Sequence, residues 1–189
     1  DNSSFNVTGS VKFKNSTCFV KDIFILVDGE VVIKSDGLPV QTDEDGLFSL
    51  EVPIGPHVIT TNKQGHVFSA GRFPTSGNYN FQQNEVLGSF IDSTLFKVVG
   101  RVAGGGIQKA LPNGLNRGKN NIGSATINFV SQQGGGCINT FVSTNATTGE
   151  YEINLPRTKF EIPDFTVTNN NEIGFTLNTL IDLSLTIPL

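Results

Sequence analysis

The chain has 189 residues, of which 37% are hydrophobic and 16% are charged, and it contains 21 Gly and 8 Pro. This composition is typical of a globular protein of one or two domains and excludes a disordered or low-complexity chain. The net charge of −4 excludes the basic surface of a nucleic-acid-binding protein, and no apolar run reaches the roughly 20 residues needed to cross a bilayer.

The sequence of the first half of the chain predicts short β-strands separated by turns. Phe5–Val11 alternates apolar and polar residues, as a strand with one buried face does. Ile23–Val27 is continuously apolar, which predicts a strand covered on both faces. Asp28 and Gly29 then predict a two-residue hairpin turn into Glu30–Lys34.

A strand pattern from the first half returns in the second half. The frame Phe-x-Val-x-Gly-x-Val of Phe5–Val11 recurs at Phe96–Val102, and Gly46–Pro53 is echoed by Gly149–Pro156. In the latter two segments a turn glycine precedes three alternating large apolar residues and a closing proline, which predicts a half-buried strand. Two landmarks in the same order indicate an internal repeat.

The other periodic segments also predict strands. Pro56–Phe68 predicts two short strands with Gly65 in the turn, and three later segments are extended: Ser124–Val130, Phe160–Thr168 and Ile173–Ile187. No segment combines helical periodicity with caps. Short strands about ten residues apart, separated by Gly, Pro, Asn and Asp, indicate an all-β fold of the sandwich type.

The repeat predicts two tandem domains, residues 1–92 and 93–189. The second copy is longer in the middle, and its additional residues fall in Gly104–Gly123, which is rich in Gly and Asn and lacks alternation. This predicts a long loop in the second domain. A neutral insertion is the favoured interpretation, and a functional loop is the alternative.

The first copy resembles the carboxypeptidase regulatory-like domain. The segments Val7–Val11 and Thr42–Ile59 follow that family's pattern of V-x-G-x-V and then T-D-x-x-G-x-F-x-L-x-x-P-x-G-x-Y/H-x-L. The second copy matches at its start and at Thr148–Pro156 but lacks the glycine that follows. Phe90–Val102, interpreted as a linker, is similar to a phrase in large surface proteins of Bacteroidetes-type bacteria.

The resemblance implies two tandem transthyretin-like (prealbumin-like, immunoglobulin-like) β-sandwich domains, similar also to the B-type repeats of bacterial adhesins. It implies a non-catalytic structural or spacer role in a larger secreted, cell-surface or periplasmic protein, whose neighbouring domains would be the partners. The alternative is an adhesion module that binds a surface glycan or protein. Because the chain begins at Asp1 and has no Met, we expect a processed product or a fragment.

One stretch could bind an anionic partner such as an acidic glycan. No carboxylate side chain occurs between Asp92 and Glu150. Five cationic residues lie within that interval: Lys97, Arg101, Lys109, Arg117 and Lys119. The favoured alternative is a solvated loop without a ligand.

The sequence predicts no enzyme, no cofactor and no metal site. His57 and His66 are the only histidines, with no convergent partner in sequence other than Glu51. Asp43–Gly46 resembles half of a calcium-binding loop, but an acidic β-turn explains these residues without a metal.

The two cysteines, Cys18 and Cys137, fall in different predicted domains. We expect both to be small buried thiols, since a bridge would require the domains to meet at these residues.

Overall fold

The computed structural model describes residues 3–70, 79–102, 125–145, 147–162, 165–167 and 179–182. Within these ranges the protein is all-β, as predicted, and its one helical element is a 3₁₀ turn at Gln133–Gly135. Nothing in the described ranges forms a helix long and apolar enough to cross a membrane. The described residues divide into two compact units, unit 1 up to Thr94 and unit 2 from Leu95 onward.

Unit 1 contains nine strands among its described residues. They are β1 (Ser4–Phe13), β2 (Phe24–Val27), β3 (Glu30–Val31), β4 (Leu47–Pro53), β5 (Gly55–His57), β6 (Ile59–Asn62), β7 (Phe68–Ala70), β8 (Tyr79–Phe81) and β9 (Glu85–Asp92). They form a four-stranded sheet in the order β4-β1-β9-β7, a three-stranded sheet β3-β2-β6 and the pair β5-β8. The β1–β9 pair is parallel, and every other pair is antiparallel.

Much of the core of unit 1 is formed by the inward-facing residues of its long strands. The inward-facing side chains of β1, β4 and β9 are buried, and they include Val7, Val11, Phe13, Phe48, Leu50, Val52, Leu87 and Phe90. Burial of each such side chain is worth about 1.5–3 kcal/mol, so the period-two pattern of the sequence is the main determinant of β1 and β4.

The hairpin turn at Asp28 and Gly29 is confirmed. Their φ angles of 53° and 87° are those of the left-handed residues in a two-residue hairpin connection. The strand after the turn has two residues instead of the five expected, and the region predicted to hold two strands between residues 56 and 68 contributes to three.

The linker interpretation of Phe90–Val102 is wrong. Its first three residues end β9, and residues 95–101 form β10, the first strand of unit 2. β9 lies between β1 and β7 in the sheet and is therefore a central strand of unit 1. Only Ser93 and Thr94 separate the two strands.

Unit 2 contains seven strands among its described residues. They are β10 (Leu95–Arg101), β11 (Ala125–Ser131), β12 (Asn139–Ser143), β13 (Glu150–Pro156), β14 (Lys159–Ile162), β15 (Phe165–Val167) and β16 (Thr179–Asp182). β10 pairs with β13, and a second sheet has the order β12-β11-β14-β16, with β15 also pairing with β11. The buried core consists of Ala125, Ile127, Phe129, Leu155, Phe160 and Ile162. The predicted Gly104–Gly123 loop lies outside the described residues.

The two units contain the same pair of strands in the same register. Gly9 of β1 lies opposite Phe48 of β4, and Gly100 of β10 lies opposite Tyr151 of β13. A Cβ atom on Gly9 would lie 2.4 Å from Phe48 Cζ, and one on Gly100 would lie 2.5 Å from Tyr151 Cζ. In each unit the aromatic ring therefore occupies the space that the opposite glycine leaves free.

The turns before the second strand of each pair also correspond. Gly46 and Gly149 both have left-handed φ angles, 66° and 70°. Their carbonyl oxygens accept the N–H groups of Val11 and Val102, each at 2.9 Å. The turn glycine is required at both positions because a side chain strains this backbone conformation.

The expectation of two free thiols is wrong. Cys18 and Cys137 are both disulfide-bonded, and the structure contains no free cysteine. Disulfide pairing depends on spatial proximity, which the spacing of two cysteines in sequence does not predict.

Candidate functional site

Two of the five cationic residues predicted as an anionic-ligand site lie in the described part of the chain. Lys97 Nζ is 2.8 Å from Glu152 Oε2, and Arg101 is the register partner of Glu150. The stretch that lacks acidic residues in sequence therefore lies beside acidic residues of β13. Lys109, Arg117 and Lys119 lie outside the described residues, so the patch stays a prediction.

Both histidines have an aspartate partner that the sequence did not indicate. His57 Nδ1 lies 2.7 Å from Asp28 Oδ2, and Asp28 Oδ1 accepts the Val58 N–H at 2.8 Å. The hydrogen bond to His57, and next the one from Val58, lower the pKa of the Asp28 carboxyl. This pair lies near the surface, with half of the Asp28 side chain exposed.

The second histidine pair is buried at the end of β9. His66 Nδ1 lies 2.5 Å from Asp92 Oδ2, and the two side chains are 3% and 0% exposed. Asp92 Oδ1 accepts the Thr94 N–H, and Thr94 Oγ1 accepts the Val67 N–H. These hydrogen bonds connect the end of β9 and the residues after it to the turn before β7. These contacts are sufficient to explain His66 as a structural residue.

The acidic turn before β4 is held by its own side chains. Asp43 Oδ1 accepts the N–H groups of Asp45 and Leu47, and Glu44 forms an ion pair with Lys21 at 2.8 Å. In unit 2 the amide oxygen of Asn145 accepts two backbone N–H groups of the equivalent turn. Across the described residues, no three His, Cys, Asp or Glu side chains converge as a metal site requires. The β-turn therefore accounts for these residues in both units.

The first and last strands of unit 1 lie side by side and run in the same direction. β1 and β9 pair in parallel from Val7–Glu85 to Phe13–Asp92. Two further hydrogen bonds close the ends of this ladder: Asn6 N–H donates to Asn84 Oδ1 at 2.9 Å, and Lys14 N–H donates to Asp92 O at 2.8 Å.

An open groove crosses the solvent-facing side of the four-stranded sheet in unit 1. It encloses about 520 Å³. Its lining includes the outward residues Thr8, Ser10, Leu47, Ser49 and Val86, and Lys34, Gln41 and Asp43 from the segment before β4. Sequence reasoning missed this groove because it depends on the register of three strands that are distant in sequence.

No known family model and no curated protein matches the chain. Among solved structures it is similar to the Bacillus anthracis TIE protein, with 14% identity and a TM-score of 0.42 over 96% of this chain and 31% of that one. It is also similar to a DUF3823 family protein from Parabacteroides merdae ATCC 43184, with 12% identity and a TM-score of 0.31 over 82% of this chain and 81% of that one. A DUF3823 family protein from Bacteroides ovatus ATCC 8483 has 12% identity and a TM-score of 0.31 over 96% of this chain and 100% of that one. The chain thus spans less than a third of the TIE protein, and likenesses this distant assign no function.

Proposed function

We propose that the protein is a pair of tandem transthyretin-like β-sandwich modules that act as a non-catalytic spacer in a larger secreted or cell-surface bacterial protein. The observation that carries the proposal is the parallel pairing of β1 with β9 in unit 1. A spacer that holds another domain away from a surface must resist tension along its chain, and this pairing provides the resistance.

The resistance follows from the direction of the two strands. Tension pulls β1 from its amino end, near Ser4, and β9 from its carboxyl end, near Asp92. Because the strands are parallel neighbours, this tension slides one along the other and loads the hydrogen bonds on both sides of their bulge together. The buried His66–Asp92 pair adds a further attachment at the point where tension enters β9.

The tandem arrangement is supported by the repeated strand pair. Unit 1 has two main sheets with a buried core, and the β1–β4 pair returns as β10–β13 with the same glycine–aromatic contact. Two similar modules in series would lengthen a spacer. The oxidised state of Cys18 and Cys137 is typical of proteins outside the reducing cytosol and supports an extracellular or periplasmic location.

Single-molecule force spectroscopy tests the spacer role. The whole chain, held between marker domains under reducing conditions, is pulled from its two ends. We expect two unfolding events, with a contour-length gain of about 30 nm for a unit of this size. In a matched second geometry the same protein is pulled between its amino end and an attachment point in place of Ile54.

The second geometry is the control because Ser4 and Pro53 are register partners at one end of the antiparallel β1–β4 pair. Pulling there opens the ladder one bond at a time, so we expect a force several-fold lower than in the end-to-end geometry. Equal forces in the two geometries, or extension without a force peak, would contradict the proposal.

A further inference from the structure

The groove of unit 1 has a floor made of two rows of outward side chains. Ser49, Thr8 and Val86 are register partners across β4, β1 and β9, and Leu47 and Ser10 form a second, shorter row. Neighbouring strands lie about 4.8 Å apart, so the longer row spans roughly 10 Å. The floor thus has the dimensions of one or two sugar rings.

The five side chains of this floor are uncharged and of two kinds. Three, those of Thr8, Ser10 and Ser49, carry hydroxyl groups, each able to donate and to accept a hydrogen bond. The other two are the aliphatic residues at opposite corners, Leu47 and Val86, which are 48% and 83% exposed. A surface with alternating hydroxyls and exposed aliphatic carbon complements a saccharide, whose rings present hydroxyl edges and C–H faces.

Part of the hydrogen-bonding capacity of the groove is unused within the described residues. Ser10 and Ser89 bond to each other at 2.9 Å, and Ser49 donates to Asn6 at 2.7 Å. The hydroxyl of Thr8 and the side-chain amide of Gln41 have no hydrogen-bond partner in the described part of the chain. These two groups are the ones we expect a ligand to contact.

A β-bulge in β9 lies beside the groove. Thr8 pairs with Val86 and Ser10 pairs with Ser89, so β9 has one extra residue between the two rows. A bulge bends its strand and changes the direction of neighbouring side chains. The volume of about 520 Å³ lies within the range of small-molecule sites, about 300–1,000 Å³.

We propose that this groove binds a neutral mono- or disaccharide. Among the described residues that line the groove, an acidic ligand would meet one cation, Lys34, and also the Asp43 carboxylate. A flat aromatic ligand would find little to stack on, because Phe48, the aromatic residue among the described lining, is only 4% exposed. Without stacking, we expect a dissociation constant of about 1 mM or weaker.

The proposal applies to unit 1 alone. In unit 2 the positions equivalent to Thr8, Ser10, Leu47 and Ser49 are held by Val99, Arg101, Glu150 and Glu152, as the shared register shows. These side chains are charged or aliphatic, and Glu152 is bonded to Lys97. Unit 2 therefore serves as an internal control in the same molecule.

Backbone amide NMR spectra of the full chain test the proposal by titration with maltose, cellobiose and lactose. We expect saturable shifts at β1, β4 and β9, and none at β10 and β13. Thr8→Val replaces the hydroxyl by a methyl group and should weaken binding about five- to tenfold. The matched control is Thr60→Val, which changes an exposed threonine of β6 outside the groove and should leave binding unchanged.

Four outcomes would overturn the proposal. They are the absence of saturable shifts up to about 50 mM sugar, shifts outside the groove, equal binding by Thr8→Val and the parent protein, and saturable binding of glucuronate but of no neutral sugar. Melting temperatures of both variants establish that they are folded. The site does not depend on the spacer role, since the pulling experiment and the titration can fail separately.

Discussion

The strand pairs β1–β4 and β10–β13 have inward-facing residues of the same kind, but the chemistry of their outward-facing side chains differs. Inside, a glycine lies under an aromatic ring in both units, and a left-handed glycine starts the second strand. Outside, unit 1 has the hydroxyl and aliphatic side chains of Thr8, Ser10, Leu47 and Ser49 at the positions where unit 2 has Val99, Arg101, Glu150 and Glu152. Packing and turn geometry constrain the inner positions, so the units' functional differences must lie on the outer ones.

The units also differ in how the first strand is flanked. In unit 1, β9 covers the second edge of β1 and ends in the buried His66–Asp92 pair. In unit 2, β13 is the one strand that pairs with β10 among the described residues. Changes in the β9 network should therefore destabilise unit 1 and leave unit 2 unaffected.

The largest effect is expected for Asp92→Ala. The change leaves the buried His66 ring nitrogen and the Thr94 N–H without their acceptor, which should lower the free energy of unfolding of unit 1 by about 3 kcal/mol. The loss is measured by unfolding the protein in urea and using amide hydrogen exchange to monitor each unit separately. The control is Asp28→Ala, which removes the aspartate of the surface pair and should cost less than about 1 kcal/mol. Similar losses in the two variants would show that the burial of His66 and Asp92 has no energetic consequence.

An intermediate effect is expected when each repeated glycine becomes alanine. Gly9→Ala should destabilise unit 1 by about 2–3 kcal/mol, because the new methyl group would overlap the ring of Phe48, which is buried beside Phe90. Gly100→Ala should cost unit 2 about 1 kcal/mol, because the half-buried Tyr151 ring has more freedom to move. Thermal unfolding of the two variants compares the losses. The reverse order would mean that the Tyr151 ring is the more rigidly held of the two.

Alternation in the sequence was sufficient to locate the repeated strands. The landmarks Gly46–Pro53 and Gly149–Pro156 correspond to β4 and β13 within one residue at their start. β9 was missed because its bulge breaks the period of two: Leu87 and Phe90 are both buried although they are three residues apart. β12 was missed because its large residue, Phe141, is exposed.

The His66–Asp92 pair and the groove were harder to predict from the sequence than the strands. His66 and Asp92 are far apart in sequence, and neither is flanked by a motif that indicates pairing. The groove depends on which residues of β4, β1 and β9 lie opposite one another, and the bulge decides that register. A local pattern indicates which face a residue is on, but it does not indicate its neighbours on the next strand.

The smallest effect is the acid sensitivity of unit 1 that Asp28 should cause. Because the hydrogen bonds from His57 and Val58 lower the pKa of Asp28 in the folded state, ionised Asp28 stabilises unit 1 above its unfolded pKa of about 3.9. This stabilisation should be lost as the pH falls through the lower, folded pKa. Unit 2 has Phe160 at the position of His57, four residues after the closing proline, and should not share the effect. Asp28→Asn should therefore lower the melting temperature of unit 1 at pH 7 but not at pH 2, whereas a difference of the same size at both pH values would mean that the Asp28 charge contributes nothing.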